Sequence, residues 1–233
     1  MSVTVVIAAH DEAPSIAAVV AGCRAHTPGL DEVLVVDDGS RDDTAARAAE
    51  AGARVVRLEV NQGKGAALRR GIAEARGEVL VFIDGDGQDD PAEIPRLLAA
   101  LAPDVGLVIG SRFLGVFRAG AITPLNRAGN RGLTAASNLL FGMRITDTQA
   151  GFRAVRRGAL AGVALRARAY DIETELLLRV HLAGARVVEV PVTRSARTHG
   201  QSGLRSLRDG LRILRCMLAV RRGAGRPARY EAK

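Results

Sequence analysis

The chain has 233 residues, of which 48% are apolar, so it can bury the core of one globular domain or of one domain with a small appendage. A formal charge of +8 and a pI of about 10.7 indicate an anionic partner, such as a nucleotide, a nucleic acid or a phospholipid surface. Only 3% of the residues are aromatic and there is no Trp, which disfavours a protein that stacks single-stranded nucleic acid.

The cysteines and the apolar runs exclude two further classes. Cys23 and Cys216 are far apart and form no CxxC pair, so we expect free thiols in a reducing compartment. The apolar stretch Val3–Ala9 is too short for a secretory signal, and no run of about 18 apolar residues predicts a transmembrane helix.

The first half of the chain alternates strands with helices. Apolar runs predict strands at Val3–Ala9, Glu32–Val36, Arg54–Leu58, Val79–Ile83 and Val105–Ile109. The segments between them predict helices at Ile16–Arg24, Asp42–Ala51, Ala66–Arg76 and Ala92–Leu101. We expect Ser40 and Asp43 to form a capping box, and Gly110–Arg112 to close the fifth strand. This alternation predicts an α/β fold with a mostly parallel sheet covered by helices on both faces.

The second half is less regular. Helices are predicted within Asn126–Phe141, at Ile172–Ala183 and at Leu204–Arg222, a strand at Arg186–Val190 before Pro191, and a polar loop at Asp147–Arg153. We therefore expect one domain over residues 1–203, a basic amphipathic helix over 204–222 and a disordered tail over 223–233.

Three oxygen-bearing side chains follow the fourth predicted strand. Asp84, Asp86 and Gln88 alternate with two glycines, Gly85 and Gly87, which allow a tight turn. The three side chains would converge at the carboxyl end of the strand, where open α/β sheets bind ligands. Oxygen ligands without His or Cys suit Mg2+ or Mn2+ shared with a phosphate group. The alternative is an acidic surface turn.

Two further motifs precede predicted helices. Asp37 and Asp38 follow the second strand, where a carboxylate can accept hydrogen bonds from a ribose or a base, and helix capping is the alternative. Lys64 lies between Gly63 and Gly65 ahead of a helix N-terminus, a setting that suits phosphate. The spacing of a P-loop is absent, and a solvated turn is the alternative.

The second half is rich in arginine, which can bind phosphate through two parallel hydrogen bonds. The basic candidates are Arg112, Arg127, Arg131, Arg153, Arg197, His199 and Arg205. Taken singly, each is better explained as a solvated surface residue, and the alternative for Glu173 and Glu175 is that they are ordinary partners of a helix dipole. The last helix carries one stripe of leucines and one of arginines, which suits an anionic membrane surface, packing on its own domain or a second subunit.

Together, these motifs resemble family 2 glycosyltransferases of GT-A fold, in particular the group that makes polyprenyl-phosphate (dolichyl-phosphate) mannose and glucose. The resemblance extends from Val3 to about Leu211. The matching segments are Val5–Ile16, Val35–Ser40, Asn61–Gly65, Asp84–Gln88, Gly110–Arg112, Asp147–Arg153, Glu173–Glu175 and Arg197–Ser202. One departure is His10, which stands where the family usually has an aromatic residue, so the base of the nucleotide stays open.

The resemblance implies a Rossmann-like GT-A fold and a role for each matching residue. The residues implied in binding the nucleotide sugar are Ala8, Ala9, His10, Glu12, Asp37, Asp38, Lys64, Asp84 and Gly85. The implied metal ligands are Asp84, Asp86 and Gln88, and the implied acceptor-phosphate ligands are Arg112, Arg127 and Arg131. Asp86 and Arg112 would be catalytic, and Asp147 is the candidate base for a hydroxyl acceptor.

We therefore expect inverting transfer of a sugar from a donor of the GDP-mannose or UDP-glucose type to a polyprenyl phosphate, with Mg2+ or Mn2+ as cofactor. The enzyme would be cytoplasmic, bound peripherally to the cytoplasmic face of the membrane, and would not bind nucleic acid. Three alternatives stay open: a family member with a soluble hydroxyl acceptor, a nonenzymatic basic module that binds anions or membranes, and a nucleotidyltransferase. The oligomeric state is also open.

Overall fold

The computed structural model describes residues 1–197 and 206–223. Its strands are β1 (Val3–Ala9), β2 (Leu30–Asp37), β3 (Arg54–Arg57), β4 (Val79–Asp84), β5 (Val105–Phe117), β6 (Arg153–Arg156) and β7 (Arg186–Arg194). Its helices are α1 (Ile16–His26), α2 (Thr44–Glu50), α3 (Lys64–Glu74), α4 (Ile94–Ala99), α5 (Pro124–Phe141), α6 (Ile172–Leu182) and α7 (Ser206–Gly223). Short 3-10 turns precede α4 at Pro91–Glu93 and follow β6 at Arg157–Leu160.

All seven strands form one sheet in the order β3-β2-β1-β4-β6-β5-β7. The first four strands are mutually parallel and β5 is parallel to β7, whereas β6 runs antiparallel to both of its neighbours. The register pairs Ala8 with Asp84 and Ala9 with Asp37, so the loops after β1, β2 and β4 emerge at one edge of the sheet. This confirms the predicted α/β fold, although the sequence did not predict the antiparallel strand β6.

Helices cover both faces of the sheet and bury two apolar layers. On one face, α1 and α4 pack against the strands through residues such as Ile16, Val20 and Leu97. On the other face, the layer includes Leu177 from α6 and Ile213 from α7. Strands buried on both faces explain why β1 and β4 read as continuous apolar runs.

Strands β5 and β7 are both longer than predicted. β5 runs through Gly110–Arg112 to Phe117, and at Gly115 it approaches β7 so closely that an added Cβ would clash with the Val192 carbonyl oxygen. β7 continues through Pro191 because it is an edge strand. The Pro191 carbonyl points away from β5 and accepts a hydrogen bond from Arg96, so the missing N–H lies on the unpaired side.

Other predicted boundaries shift at helix ends. Asp43 is the N-cap residue of α2 but makes no side-chain cap hydrogen bond, and the Ser40 hydroxyl instead accepts the Asp11 N–H, so the predicted capping box does not form. The last helix begins at Ser206, and residues 198–205 and 224–233, which include His199, Arg205 and nearly all of the predicted tail, lie outside the described residues. Within the described chain, no helix has both the length and the apolarity needed to span a bilayer.

Candidate active site

A cavity of about 960 Å3 opens at the carboxyl ends of β1 and β4. The loop after β1, the start of α3, the loop 149–151 and the start of α6 form its floor, and α5 and α7 form its outer part. Most residues predicted for the nucleotide sugar line it: Ala8, Ala9, His10, Glu12, Asp38, Lys64, Asp84 and Gly85. The parallel register explains this convergence, because residues at the ends of adjacent parallel strands share one edge of the sheet.

Among the described residues, five carboxylates and three basic groups meet at the cavity floor. The carboxylates are Glu12, Asp84, Asp86, Asp89 and Glu173, and the basic groups are Lys64, Arg194 and Arg197. Their formal charges leave two negative charges unbalanced within this cluster. A divalent cation bound to oxygen ligands would neutralise that excess.

Lys64 joins two of these carboxylates. Its Nζ lies 2.6 Å from Asp84 Oδ1 and 2.7 Å from Glu173 Oε1, and 5.9 Å from the centre of the Tyr170 ring. Burial disfavours the charge of Asp84, but the nearby Lys64 and Arg194 outweigh burial and lower the pKa of Asp84 to about 2. Asp84 is therefore ionised across the physiological pH range.

Two arginines from the end of β7 and the residues after it contact the remaining carboxylates. Arg197 lies 2.9 Å from both Glu12 Oε1 and Asp86 Oδ2. Arg194 lies 2.6 Å from Asp89 Oδ2 and 3.5 Å from Asp86 Oδ2. Arg194 was absent from the sequence-based site. The signal lies in the pattern Thr193-Arg194-Ser195-Ala196-Arg197, which spans the end of β7 and the residues after it, but the sequence predicts that this strand stops before Pro191.

The donor atoms at this floor fit a divalent cation. Asp84 and Asp86 offer carboxylate oxygens, and Mg2+ is commonly held by one or two carboxylates together with substrate phosphates. In the described residues, no three His, Cys, Asp or Glu side chains form a complete metal cage. The Gln88 amide donates to the Ser195 carbonyl and accepts from Arg194, so its predicted role as a ligand stays a prediction.

Two adjacent aspartates at the end of β2 have different surroundings. Asp38 lines the cavity, and its carboxylate accepts the N–H groups of Gln62 and Gly63, each at 2.8 Å. Asp37 is fully buried and does not line the cavity; it accepts the Ser40 N–H and pairs with Arg57. Asp37 is the last residue of β2 and Asp38 is the first residue after it, and only Asp38 faces the cavity.

Arg112 and Asp147 form a buried ion pair at the cavity wall. Asp147 is 0% exposed, and its two oxygens accept hydrogen bonds from Arg112 Nε at 2.7 Å and Nη2 at 2.8 Å. Burial opposes the charge of Arg112, but Asp147 outweighs it and raises the pKa of Arg112. Asp147 is therefore placed to orient Arg112, and its burial argues against the predicted role as a general base.

The predicted acceptor arginines of α5 lie outside the cavity. Arg127 and Arg131 are exposed and lie over the rings of Phe117 and Phe113 of β5, on the side of α5 that faces away from the cavity. The cavity side of α5 instead presents Asn126, Gly129 and Asn130. Arg127 and Arg131 do share one helix face, as their spacing predicts, but the packing of α5 turns that face toward β5.

The face of α7 that packs into the core is not the predicted stripe of leucines. Ile213, Met217 and Val220 pack into the core, whereas Leu207, Leu211, Leu214 and Leu218 stay exposed by 38–83%. Leu207, Leu211 and Leu214 line the outer part of the cavity opposite Leu125 and Leu133 of α5. The exposed arginines of the predicted stripe, Arg208, Arg212 and Arg215, lie beside the leucines.

The sheet order, the carboxylates at its strand ends and the cavity above them agree with a glycosyltransferase of GT-A architecture. The profile of Glycosyl transferase family 2 matches residues 4–163, and the chain belongs to this family. It is 33% identical over 211 residues to glycosyltransferase AglJ of Haloferax volcanii, covering 90% of this chain and 68% of that protein. It is 33% identical over 218 residues to undecaprenyl-phosphate mannosyltransferase of Micrococcus luteus, covering 87% of each.

A solved structure supports the same assignment. The chain superimposes on glucosyl-3-phosphoglycerate synthase from Mycobacterium tuberculosis, in complex with Mn2+, UDP and phosphoglyceric acid, with a TM-score of 0.75 and 28% identity. The superposition covers 98% of this chain and 80% of that one. The family and the GT-A fold predicted from the sequence are thus confirmed.

Proposed function

We propose that this protein transfers a sugar, with inversion, from a nucleoside diphosphate sugar to the phosphate of a polyprenyl lipid, using Mg2+ or Mn2+. The observation that carries the proposal is the division of one cavity into an acidic floor and an apolar outer part between α5 and α7. The floor suits a diphosphate with its cation, and the outer part suits an isoprenoid chain. The similarity to undecaprenyl-phosphate mannosyltransferase supports this choice of acceptor.

At the floor, we assign the cation to Asp84 and Asp86, with Gln88 as a third donor. A cation bound there would offset the charge that develops on the departing diphosphate. Lys64 keeps Asp84 in place through its 2.6 Å contact, and Arg197 stands beside Asp86, where its guanidinium can screen a phosphate. We expect the nucleotide to lie along the loop after β1 and against Asp38.

A phosphate acceptor makes a general base unnecessary. The attacking oxygen is already anionic near neutral pH, so the protein has only to position it and to screen its charge. Arg112 lines the cavity, and Asp147 occupies only two of its three guanidinium nitrogens. We therefore assign Arg112 to the acceptor phosphate and Asp147 to holding Arg112.

The apolar part of the cavity can be tested with two leucines of α7. Leu211 lines the cavity and Leu218 does not, although both are exposed on the same face of the helix. With an undecaprenyl phosphate dispersed in detergent, Leu211→Asp should raise the acceptor KM roughly tenfold, since a buried charge opposes an apolar chain. Leu218→Asp should leave it nearly unchanged. Equal KM values for Leu211→Asp and wild type would contradict the proposed lipid path.

We further propose that α7 holds the enzyme on the cytoplasmic face of an anionic membrane. Arg208, Arg212 and Leu218 are exposed on this helix, and each basic residue near such a surface contributes roughly 1 kcal/mol. Reversing Arg208 and Arg212 to Glu should release the protein from vesicles that contain phosphatidylserine. Sedimentation with these vesicles that is the same for wild type and variant at low salt would count against membrane docking.

A small phosphorylated acceptor is the second candidate, because the chain superimposes over 98% of its length on an enzyme solved with phosphoglyceric acid. The deciding assay offers UDP-glucose and GDP-mannose separately to the purified chain, with Mn2+ or with EDTA. Undecaprenyl phosphate and 3-phosphoglycerate serve as alternative acceptors. Transfer to the lipid that EDTA abolishes supports the main proposal, whereas transfer to phosphoglycerate alone establishes the second candidate.

A further inference from the structure

Within residues 1–197 and 206–223, Arg153 is the largest side chain that the fold buries completely, with 1% of its surface exposed. Its guanidinium donates to three main-chain carbonyls: Nε to Ala150 at 2.6 Å, Nη1 to Glu173 at 2.5 Å and Nη2 to Thr148 at 2.8 Å. Burial lowers the pKa of Arg153 to about 10, although Glu173 acts in the opposite direction. Burying a guanidinium is costly, and an apolar side chain would fill the same space without that cost.

The three bonds of Arg153 join two segments that both line the cavity floor. One is the loop around Ala150, and the other is the first turn of α6, which carries Glu173. The loop continues into Gly151, where an added Cβ would lie 3.2 Å from Lys64 Nζ and 3.3 Å from Asp84 Oδ1. The backbone of this loop is thus packed directly against the Lys64–Asp84 ion pair.

Glu173 reaches the same ion pair from the other side. Its Oε1 lies 2.7 Å from Lys64 Nζ, and Lys64 in turn lies 2.6 Å from Asp84 Oδ1. Arg153 therefore fixes both surfaces between which Lys64 and Asp84 are held, without touching either residue. A shift of the loop or of the α6 turn would reorient the Asp84 carboxylate.

We infer that Arg153 is a positioning residue for the cation site: it holds Gly151 and Glu173 so that Lys64 keeps Asp84 in the orientation that binds the cation. This inference rests on the cation and the nucleotide of the proposed function and does not depend on the acceptor. Partners that orient metal ligands typically alter metal affinity by about 10- to 100-fold when they are replaced.

The same strand offers a matched control in Arg156. Its guanidinium also donates to three carbonyls, those of Leu101, Ala102 and Val105, at 2.7 to 3.1 Å. None of these residues lines the cavity. Arg156→Lys therefore disturbs the same number of carbonyl contacts on β6 as Arg153→Lys and leaves the cation site untouched.

The test compares Arg153→Lys with Arg156→Lys in the full chain. Mn2+ affinity is measured by titration in the presence of UDP and, separately, of GDP, well below the unfolding temperature of each variant. We expect Arg153→Lys to weaken Mn2+ binding by roughly tenfold or more and Arg156→Lys to change it by less than about twofold. Equal losses in both variants, or wild-type affinity in a folded Arg153→Lys, would overturn the inference.

A second variant keeps the test decisive if Arg153→Lys does not fold. Gly151→Ala retains Arg153 but directs a methyl group at Lys64 and Asp84, whereas Gly158→Ala meets nothing within 4 Å. We expect only Gly151→Ala to weaken Mn2+ binding, and unchanged binding would refute the proposed coupling. If the wild-type chain binds no Mn2+ with either nucleotide, the proposed cofactor is contradicted as well. If the wild-type chain binds Mn2+ normally, a negative result in the variants contradicts only the role inferred for Arg153.

Discussion

The two walls of the cavity are built in different ways. The floor is made of strand ends, where Asp84 ends β4 and Asp86 follows it, beside the loop from β1. The outer wall is made of the helices α5 and α7, which present Asn130 and Leu211 to the cavity. Parallel strands fix which residues share an edge, but a helix can rotate and present another face. The floor is therefore determined locally, and the outer wall depends on packing.

Asp86 provides the most damaging test of the floor. We expect Asp86→Asn to lower the turnover rate by about a thousandfold, or roughly 4 kcal/mol of transition-state stabilisation, because it removes a charged cation ligand. Asp90→Asn is the matched control, since Asp90 is exposed and only caps the following 3-10 turn. The measurement is the initial transfer rate at saturating Mn2+. A variant that keeps a tenth of the wild-type rate would show that the floor works without this carboxylate.

The ion pair of Arg112 with Asp147 provides the largest expected change in stability. Arg112→Met leaves a buried carboxylate unpaired, and we expect it to lower the free energy of unfolding by about 3–5 kcal/mol. The double variant Arg112→Met/Asp147→Leu should recover most of the stability but not the transfer activity. Urea denaturation with parallel assays measures both.

The exposed pair Arg186–Asp104 is the control for this prediction. Arg186→Met removes an ion pair whose side chains are both more than half exposed, so the urea midpoint should stay close to that of the wild type. Full activity in the double variant at Arg112 and Asp147 would mean that the ion pair only supports the fold.

Substitutions on the two sides of α5 should have smaller and unequal effects on the KM for the acceptor. Arg127→Ala and Arg131→Ala should change the KM for detergent-dispersed acceptor by less than about twofold, because both side chains lie over Phe rings outside the cavity. Asn130→Leu should raise that KM about fivefold, because Asn130 lines the cavity and losing one hydrogen bond to the acceptor phosphate would cost roughly 1 kcal/mol. The reverse order of effects would show that α5 turns its arginines inward during the reaction.

The smallest expected effect is a difference in the reactivity of the two thiols, which compares the mobility of α1 with that of α7. Burial raises the pKa of Cys23 and of Cys216 to about 12, so neither should react quickly at pH 8 in the folded protein. Cys23 is fully buried in α1, whereas Cys216 is half-buried on the peripheral helix α7. We expect Cys216 to react with an aromatic disulfide reagent at least about tenfold faster than Cys23, through local opening of α7. Equal rates would indicate that both regions open together.

The contrast between the walls also explains which site residues could be predicted from the sequence. Asp84, Asp86 and Lys64 were found because each follows a recognisable break between an apolar strand and a helix. Asp147 was predicted only as the candidate base for a hydroxyl acceptor, because nothing in its own segment reveals that β5 supplies Arg112 as its partner. Arg194 was missed because Pro191 reads as the end of a strand unless that strand is known to lie at the edge of the sheet.

The sequence by itself determined the alternation of strands and helices, the parallel sheet and the carboxylates at its edge, because short apolar runs separated by helical segments leave few chain paths other than parallel strands joined by helices. Only the tertiary structure decided which side of α5 faces the cavity, which stripe of α7 is buried and why Arg153 is charged. Each of these depends on contacts between segments far apart in the chain, and the local pattern does not encode them.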